Sequence, residues 1–286
     1  IGVAMSEHAA FSLHELQTRA DLAMYSAKRP GNRKIVFHGE GGTEGMASLV
    51  SNLRVNAVYN AVQRPECIQP HYQAIVTLPD GKPVYYEALA RIRHGEDLLT
   101  PPEFLPIVRN HRIEVEFDLA VLRSVEEDIR IGRVKPGFGL SINVSPVGIL
   151  DERVIQGFLG MLSRAKGRRI IVEISELGLI AQLDKAEENI KRLRDVGCLV
   201  ALDDFGSGYS SLRMLSSMPV DIVKFDISMI HLLTSTCEKQ LRIVGEIAHI
   251  IHANGYAIAA EGVETREHLD NVVNLGFSLA QGFYFD

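Results

Sequence analysis

Two adjacent carboxylates, Asp203 and Asp204, end an apolar run from Cys198 to Leu202, and a loop of glycines and hydroxyls (Phe205 to Ser211) follows. Adjacent acids repel, and two ionised carboxylates at the end of a core strand are costly unless a cation compensates. Alone, this stretch reads first as a strand end entering an Asx-type turn. Other short apolar runs in the chain, however, end in the same way. Val84–Ile92 carries Glu87 and Arg91, and Phe138–Val144 carries Asn143. Ile170–Ser175 carries Glu173 and leads to Glu176, while Asp221–Phe225 carries Lys224 and leads to Asp226. Ala257–Ala260 leads to Glu261 and Glu264, and Phe277–Ala280 leads to Gln281 and Gly282. Glu87, Asn143, Glu173, Asp203, Asp204 and Glu261 offer only hard oxygen donors, which suits Mg²⁺ or Mn²⁺ rather than Zn²⁺. The Asp pair could bridge and cap two such ions, an arrangement suited to hydrolysis of a phosphodiester. Lys224 and Arg91 add positive charge.

These residues need elements that bring them to one place. Between the runs lie stretches of helical periodicity: Ala47–Val62, Pro101–Val108, Val115–Ile131, Val147–Ala165, Asp184–Val196, Glu238–Ala253 and Arg266–Leu275. Glycines 197, 255 and 276 stop the last three. The runs Gln69–Leu78 and Val84–Ile92 are joined by Pro79-Asp80-Gly81-Lys82, a turn signal that makes them an antiparallel pair. With Leu199–Leu202 at the Asp pair, the strands number eight and mostly alternate with helices. This predicts a parallel sheet closed as a TIM-like (β/α)8 barrel with an antiparallel first strand, an open doubly wound sheet being the alternative. In a barrel the strand tips share one face, where barrel active sites sit. Lys224 and Asp226, like Glu87 and Arg91, have the spacing to share one side of a strand.

Ahead of the barrel, residues 1–38 read as strand, helix, strand, too little for an independent core. Residues 39–46 are polar and Gly-rich and read as a linker, leaving 47–286 as the main domain. The chain of 286 residues is 46% hydrophobic with a net charge of −6, so it has no global basic field for a nucleic-acid polymer. Cys67, Cys198 and Cys237 form neither a metal pattern nor a disulfide framework, which points to a reducing, cytoplasmic compartment. No apolar run is long enough to span a bilayer, so no membrane contact is expected within this segment. The chain begins at Ile1 as a piece of something longer, and an upstream membrane anchor or sensor stays open.

At these motifs the chain resembles the EAL domain, a cyclic-di-GMP-specific phosphodiesterase family of bacterial second-messenger signalling. The likeness covers roughly residues 45 to 286. It rests on Glu87-Ala88-Leu89 with Arg91, Asn143 in Asn-Val-Ser, and Glu173 to Glu176. The run Asp203 to Leu212, Lys224-Phe225-Asp226, Ala260 to Thr265, and Gln281 to Tyr284 complete it. Residues 20–32 resemble the C-terminal tail of a GGDEF domain, without that domain's signature. The resemblance implies two metal ions, Mg²⁺ or Mn²⁺, and hydrolysis of cyclic-di-GMP to linear pGpG. It implies that Glu87, Asn143, Glu173 and Asp203 hold the first ion and Asp203, Asp204 and Glu261 the second. Lys224 would orient or polarise the attacking water with Asp226 nearby, and Glu261 and Glu264 belong to the same catalytic set. Arg91 would bind a phosphate, Gln73 and Gln281 would seat the substrate, and Glu176 would brace the loop after Asp204. That loop resembles the segment coupling dimerisation to metal binding, and the implied assembly is a homodimer made near it.

The chain departs from the family pattern at Ala74 (proline is usual), Ala90, Ile92, Val108, Arg109, Ser175, Ser207 and Phe225, none of which is a metal ligand. Ala74, Ile92 and Arg109 bear on substrate fit and helix packing. The alternative reading is a catalytically inactive cyclic-di-GMP receptor or regulatory module. Such proteins lose residues of the ligand set, and here the set is complete. An enolase- or aldolase-like barrel would need Lys224 as a free base, but surrounding acids keep a lysine protonated. Asp204-Phe205-Gly206 is not a kinase motif here, since no Gly-rich loop or His-Arg-Asp sequence accompanies it.

Overall fold

The computed structural model describes residues 2–3, 36–37, 43–165, 167–175, 182–206, 215, 218–234 and 238–285. The chain divides into two compact units, residues 1–59 and 60–286. In the first, β1 (Gly2–Val3) pairs in parallel with β2 (Val36–Phe37). The helix expected between them and Glu176 both lie outside the described residues. Helix α1 (Thr43–Gln63) starts inside the stretch 39–46 that reads as a linker. A single interior glycine, Gly45, costs a long helix only about 1 kcal/mol, so the Gly-rich signal for a linker ends before Thr43.

The second unit is the expected barrel. Its strands are β3 (His71–Thr77), β4 (Pro83–Leu89), β7 (Gly139–Val144), β8 (Ile170–Ser175), β9 (Leu199–Phe205), β10 (Ile222–Phe225), β11 (Ala257–Ala260) and β12 (Leu279–Ala280). They close in the order β3-β4-β7-β8-β9-β10-β11-β12 and back to β3. Strand β3 runs antiparallel to both neighbours, β4 and β12, and the remaining pairs are parallel.

Side-chain alternation builds the interior in layers. Ile75, Tyr85, Ile171, Ala201, Ile222 and Ala259 form an apolar plug inside the barrel, with Leu199, Ala257 and Leu279 packed on it. One side-chain repeat further towards the C-terminal tips, the same strands present Gln73, Glu87, Glu173, Asp203, Lys224, Glu261 and Gln281. The register pairs confirm the layering, with Gln73 opposite Glu87, Asn143 opposite Glu173 and Ser175 opposite Asp203. The residues that alternate with these, Leu140, Ile142, Val172, Ile174, Val200, Leu202, Val223 and Phe225, are also buried. Phe225 packs between Phe205 and Phe277, with ring centres 5.1 and 5.0 Å away.

Outside the barrel run α2 (Pro101–Asn110), α3 (Glu114–Arg130), α4 (Glu152–Arg164), α5 (Leu183–Asp195), α6 (Ile227–Leu232), α7 (Glu238–Ala253) and α8 (Arg266–Asn274). Helical spacing explains their inner faces: α4 buries Val154, Ile155, Phe158 and Met161, and α5 buries Ala186, Ile190 and Leu193. No helix among the described residues is long and apolar enough to cross a membrane.

Several elements differ from the sequence reading. Helix α4 starts at Glu152 rather than Val147, because Asp151 caps it by accepting from Arg153 N at 2.9 Å. Strand β4 stops at Leu89, and β5 (Ile92–His94) and β6 (Asp97–Leu99) form a separate hairpin. Ile92 starts that hairpin fully buried. The six-residue α6 is too short for a periodic signal. Strand β9 continues through the Asp pair to Phe205 instead of ending at Leu202.

Candidate active site

Lys224 is the hub. Its side chain is 1% exposed, and its Nζ lies 2.7 Å from Glu173 Oε2, 2.7 Å from Glu261 Oε1, 3.0 Å from Asp203 Oδ1 and 3.4 Å from Glu87 Oε2. Four carboxylates thus share one ammonium. Burial by itself would lower the lysine's pKa, but Asp203, Glu173, Glu261 and Glu87 outweigh it and hold the ammonium well above its ordinary value. Lys224 is therefore a fixed cation, which removes it as a neutral base or Schiff-base amine.

The carboxylates respond unequally to this shared charge. Burial, and then the charge of Glu87, pushes Glu173 well above the usual carboxylate range. Burial pushes Glu261 up to about 8, with Lys224 opposing and Asp203 adding to the rise. Glu87 moves down instead. Burial opposes that shift, but Lys224 and hydrogen bonds from Gln281 and Asn143 outweigh it. Asn143 Nδ2 donates to Glu87 Oε1 at 2.6 Å, and Gln281 Nε2 donates to Glu87 Oε2 at 2.8 Å and Gln73 Oε1 at 2.9 Å.

The Asp pair owes its geometry to a defect in β9. Val223 pairs with Leu202 but Phe225 pairs with Phe205, so β9 holds one residue more than β10 over that span. Asp204 takes up the extra residue with a left-handed backbone, φ 57°. On a regular strand Asp203 and Asp204 would face opposite sides, and the bulge re-aims the second. As a result, carboxylate oxygens of Asp203, Asp204 and Glu261 lie within 4.8 Å of one another, a group able to hold a metal ion. Burial, then Asp203 and Asp226, push Asp204 up to about 6.

The donor set fits a divalent cation on two counts. Its ligand atoms are all oxygen. In addition, Glu173 Oε1 is a buried acceptor without a hydrogen bond, and Asp203 Oδ1 has only its 3.0 Å ion pair with Lys224 Nζ. Such orphaned oxygens are costly unless a cation or proton meets them.

The other expected site residues are placed as follows. Gln73 and Gln281 join each other at the Glu87 edge. Arg91 is half-buried just past β4 and donates to the carbonyl of Ala90 at 2.9 Å. Its pKa is lowered by burial, with Glu87 close enough to oppose that. Asp226 caps α6, accepting from Ser228 N at 2.9 Å, and its charge acts on Asp204. Glu264 is exposed, and among the described residues its carboxylate meets no partner. Gly282 closes the C-terminal edge, where a Cβ would stand 2.2 Å from Val263 O. Close contact there lets Val263 N donate to Gln281 O at 3.0 Å.

Sequence reasoning missed Asp118. It is a buried acid on α3 that accepts from Ser145 N at 3.1 Å and Ser145 Oγ at 2.6 Å. The available signal was an Asp in the otherwise apolar stripe of Phe117, Val121, Leu122 and Val125.

The fold and the site together define a class of protein: a closed barrel whose strand tips gather carboxylates around a buried lysine. The chain belongs to the EAL domain family, whose model matches residues 55–286. It is 28% identical over 291 residues to the bifunctional diguanylate cyclase/cyclic di-GMP phosphodiesterase MucR of Pseudomonas aeruginosa, covering 99% of this chain and 42% of that protein. It is 28% identical over 204 residues to the cyclic di-GMP phosphodiesterase PdeF of Escherichia coli, covering 70% of this chain and 27% of that protein. The chain therefore spans less than half the length of these curated relatives. Among solved structures, the MucR phosphodiesterase in complex with c-di-GMP superposes with a TM-score of 0.71 at 26% identity, covering 81% of this chain and 95% of that one.

Proposed function

We propose that the barrel hydrolyses one phosphodiester bond of cyclic-di-GMP to give linear pGpG, in a reaction dependent on Mg²⁺ or Mn²⁺. The observation that carries this reading is the sharing of Lys224 by Glu87, Glu173, Asp203 and Glu261, with the Asp204 carboxylate folded in beside them. One ammonium leaves the cluster with surplus negative charge, which only protons or further cations can balance. Glu87, Asn143, Glu173 and Asp203 would hold one ion, and Asp203, Asp204 and Glu261 the second. When bound, such ions supply an activated water and neutralise charge on the phosphate.

The chain's own residues supply the rest. Lys224 stays protonated, keeps the acids in register and polarises the attacking water. Arg91 takes a phosphate oxygen at the mouth, where its guanidinium has no carboxylate partner among the described residues. Gln73 and Gln281 seat the dinucleotide. Asp226 tunes Asp204 by its charge, Glu176 braces the loop after Asp204, and Glu264, exposed in the segment after Glu261, keeps a place in the site only if substrate or a partner subunit engages it. Relatives that act on cyclic di-GMP support the substrate assignment.

Residues 1–38 are read as the tail of a GGDEF domain. The alignment to MucR supports this, since it includes the residues ahead of the barrel. Residues 47–286 are the catalytic domain, the assembly is a homodimer built near the loop after Asp204, and the site of action is the cytoplasm. The test is incubation with cyclic-di-GMP and Mg²⁺ or Mn²⁺, followed by separation of the nucleotides. The expected result is pGpG, lost on chelation and in Glu87→Ala. Tight binding without turnover would instead make the protein a receptor.

A further inference from the structure

The proposed reaction leaves the buried acid Asp118 without a role. Asp118 lies near the start of α3, among Phe117, Val121 and Leu122, and makes no ion pair among the described residues. A carboxylate in such a place is costly unless its oxygens are bonded. Here two donors of one residue meet a single oxygen, since Ser145 N and Ser145 Oγ both reach Asp118 Oδ2. Ser145 Oγ accepts in turn from Gly148 N at 2.9 Å, and Ser145 O accepts from Ile149 N at 3.1 Å. A Cβ on residue 148 would stand 2.0 Å from Asp118 Oδ2. The turn after β7 is thus wrapped around that oxygen with no space for a side chain.

This turn begins two residues after Asn143. The Asn143 side chain is exposed, and its described contact is the 2.6 Å bond to Glu87 Oε1. A side chain held at the mouth by one bond takes its direction from its backbone. On one side that backbone is set by pairing with β8, where Asn143 faces Glu173. Beyond Val144 it is set by Asp118.

We propose that Asp118 is a positioning residue for the metal centre: through the Ser145–Gly148 turn it fixes the backbone that aims the Asn143 carboxamide at Glu87. This rests on the phosphodiesterase reading above. Among the described residues Asp118 touches neither the carboxylate cluster nor Asn143 itself, so its path to the site runs through Ser145 and the Asn143 backbone.

The test uses Asp118→Leu, Asp118→Asn and Ser145→Ala, each made also in an Asn143→Ala background. Mn²⁺ binding by the ion-free protein is measured alongside turnover of cyclic-di-GMP. Supporting groups around a metal site are worth about tenfold to a hundredfold. Asp118→Leu is expected to weaken Mn²⁺ binding and lower kcat about tenfold, with KM within about twofold. Asp118→Asn keeps an acceptor oxygen and should fall between it and the unsubstituted protein. In the Asn143→Ala background the additional Mn²⁺ loss should vanish, because the two substitutions break the same chain of contacts. If Asp118→Leu does not fold, Ser145→Ala carries the same comparison. Unchanged Mn²⁺ affinity in a folded variant, or an equal loss in both backgrounds, overturns the proposal. An unsubstituted protein that neither binds Mn²⁺ nor turns over cyclic-di-GMP instead overturns the functional reading on which it rests.

Discussion

Asp203 and Asp204 are consecutive residues on a strand, yet their carboxylates converge on the same side, together with Glu261. The extra residue in β9 and the left-handed Asp204 backbone make this possible. Of the non-glycine residues that adopt φ above zero, Asp is among the more tolerant, because its side chain can bond locally. A short acidic residue that can take up a bulge and still turn its carboxylate towards Asp203 and Glu261 suits this position better than Glu or a branched residue.

Substituting Asp204 therefore separates backbone from charge. Asp204→Asn keeps a side chain tolerant of the left-handed region and removes repulsion from Asp203, so its melting temperature without divalent ions should equal or exceed the parent's. Asp204→Ala should lose about 1–2 kcal/mol from the left-handed conformation. Both should lose most of their Mn²⁺ affinity and turnover. Chemical denaturation in a chelator, paired with Mn²⁺ titration, checks the pattern. Equal stability of the two variants would contradict the strain argument.

Lys224→Met removes the cation that four carboxylates share. Breaking one side of a buried charge set typically costs about 3–5 kcal/mol. At pH 8 in a chelator, the variant should unfold far more easily than the parent. Mn²⁺ should narrow that gap, since a divalent ion replaces the lost charge. Turnover should fall at least about a hundredfold even with metal, the usual scale for losing a group that handles the reacting water. A variant as stable as the parent in chelator would show that the carboxylates do not depend on the ammonium.

Much of this site was legible because strand alternation is rigid. Glu87, Glu173, Asp203, Lys224 and Glu261 share a parity with the plug residues below them, so finding the strands placed the acids. The bulge was not legible, since no glycine marks it and an apolar run stopping at two acids looks like a strand end. The same rule overreached at Asp226, which has the parity of Lys224 but lies past the end of β10 and caps α6. The hairpin β5–β6 was hidden because Val84–Ile92 is one unbroken extended pattern. The backbone even carries the β3–β4 register on past Leu89, with Gln69 bonded to Arg91 and Ile68 bridged to Ile92, so the turn into β6 has no local signal in the strand pattern. Asp118 was hidden for the opposite reason. It interrupts the apolar face of a helix, and only its distant partner Ser145 gives the interruption a meaning.

Gly282 and Gly255 form a matched pair for testing the C-terminal edge. A methyl group at 282 would meet Val263 O at 2.2 Å and Val263 N at 2.4 Å, both backbone atoms that cannot turn away. At 255, also at positive φ, nothing lies within 4 Å. Gly255→Ala should therefore cost only the conformational term, about 1 kcal/mol, and leave turnover intact. Gly282→Ala should cost about 1–3 kcal/mol more through overpacking. It should also lower turnover, because the shift displaces Gln281 from Glu87 and disturbs the segment after Glu261. Equal effects of the two substitutions on turnover would show that this edge does not position the site.

The ion-free protein should become less stable as pH rises from about 5 to 8, and divalent ions should reverse the trend. Glu261 titrates at about 8 and Asp204 at about 6 in the folded chain, against ordinary values of 4.5 and 3.8. A carboxyl whose folded pKa is raised binds a proton that the unfolded chain has already released. Its stabilising share is complete below the unfolded value and is lost as pH climbs through the folded one. Burial also pushes Asp118 up to about 7, which adds to the same slope. Lys224, raised from 10.5, has its effect above this interval, and Glu87, lowered from 4.5, has its effect below it. Divalent ions compete with these protons for the same oxygens, so Mn²⁺ affinity should climb across the interval. Melting curves recorded from about pH 5 to pH 8, once with chelator and once with Mn²⁺, should diverge progressively. A chelated protein that gains stability over this range, or an Mn²⁺ affinity that stays flat, would mean that Glu261 and Asp204 are not the groups that hold the ion.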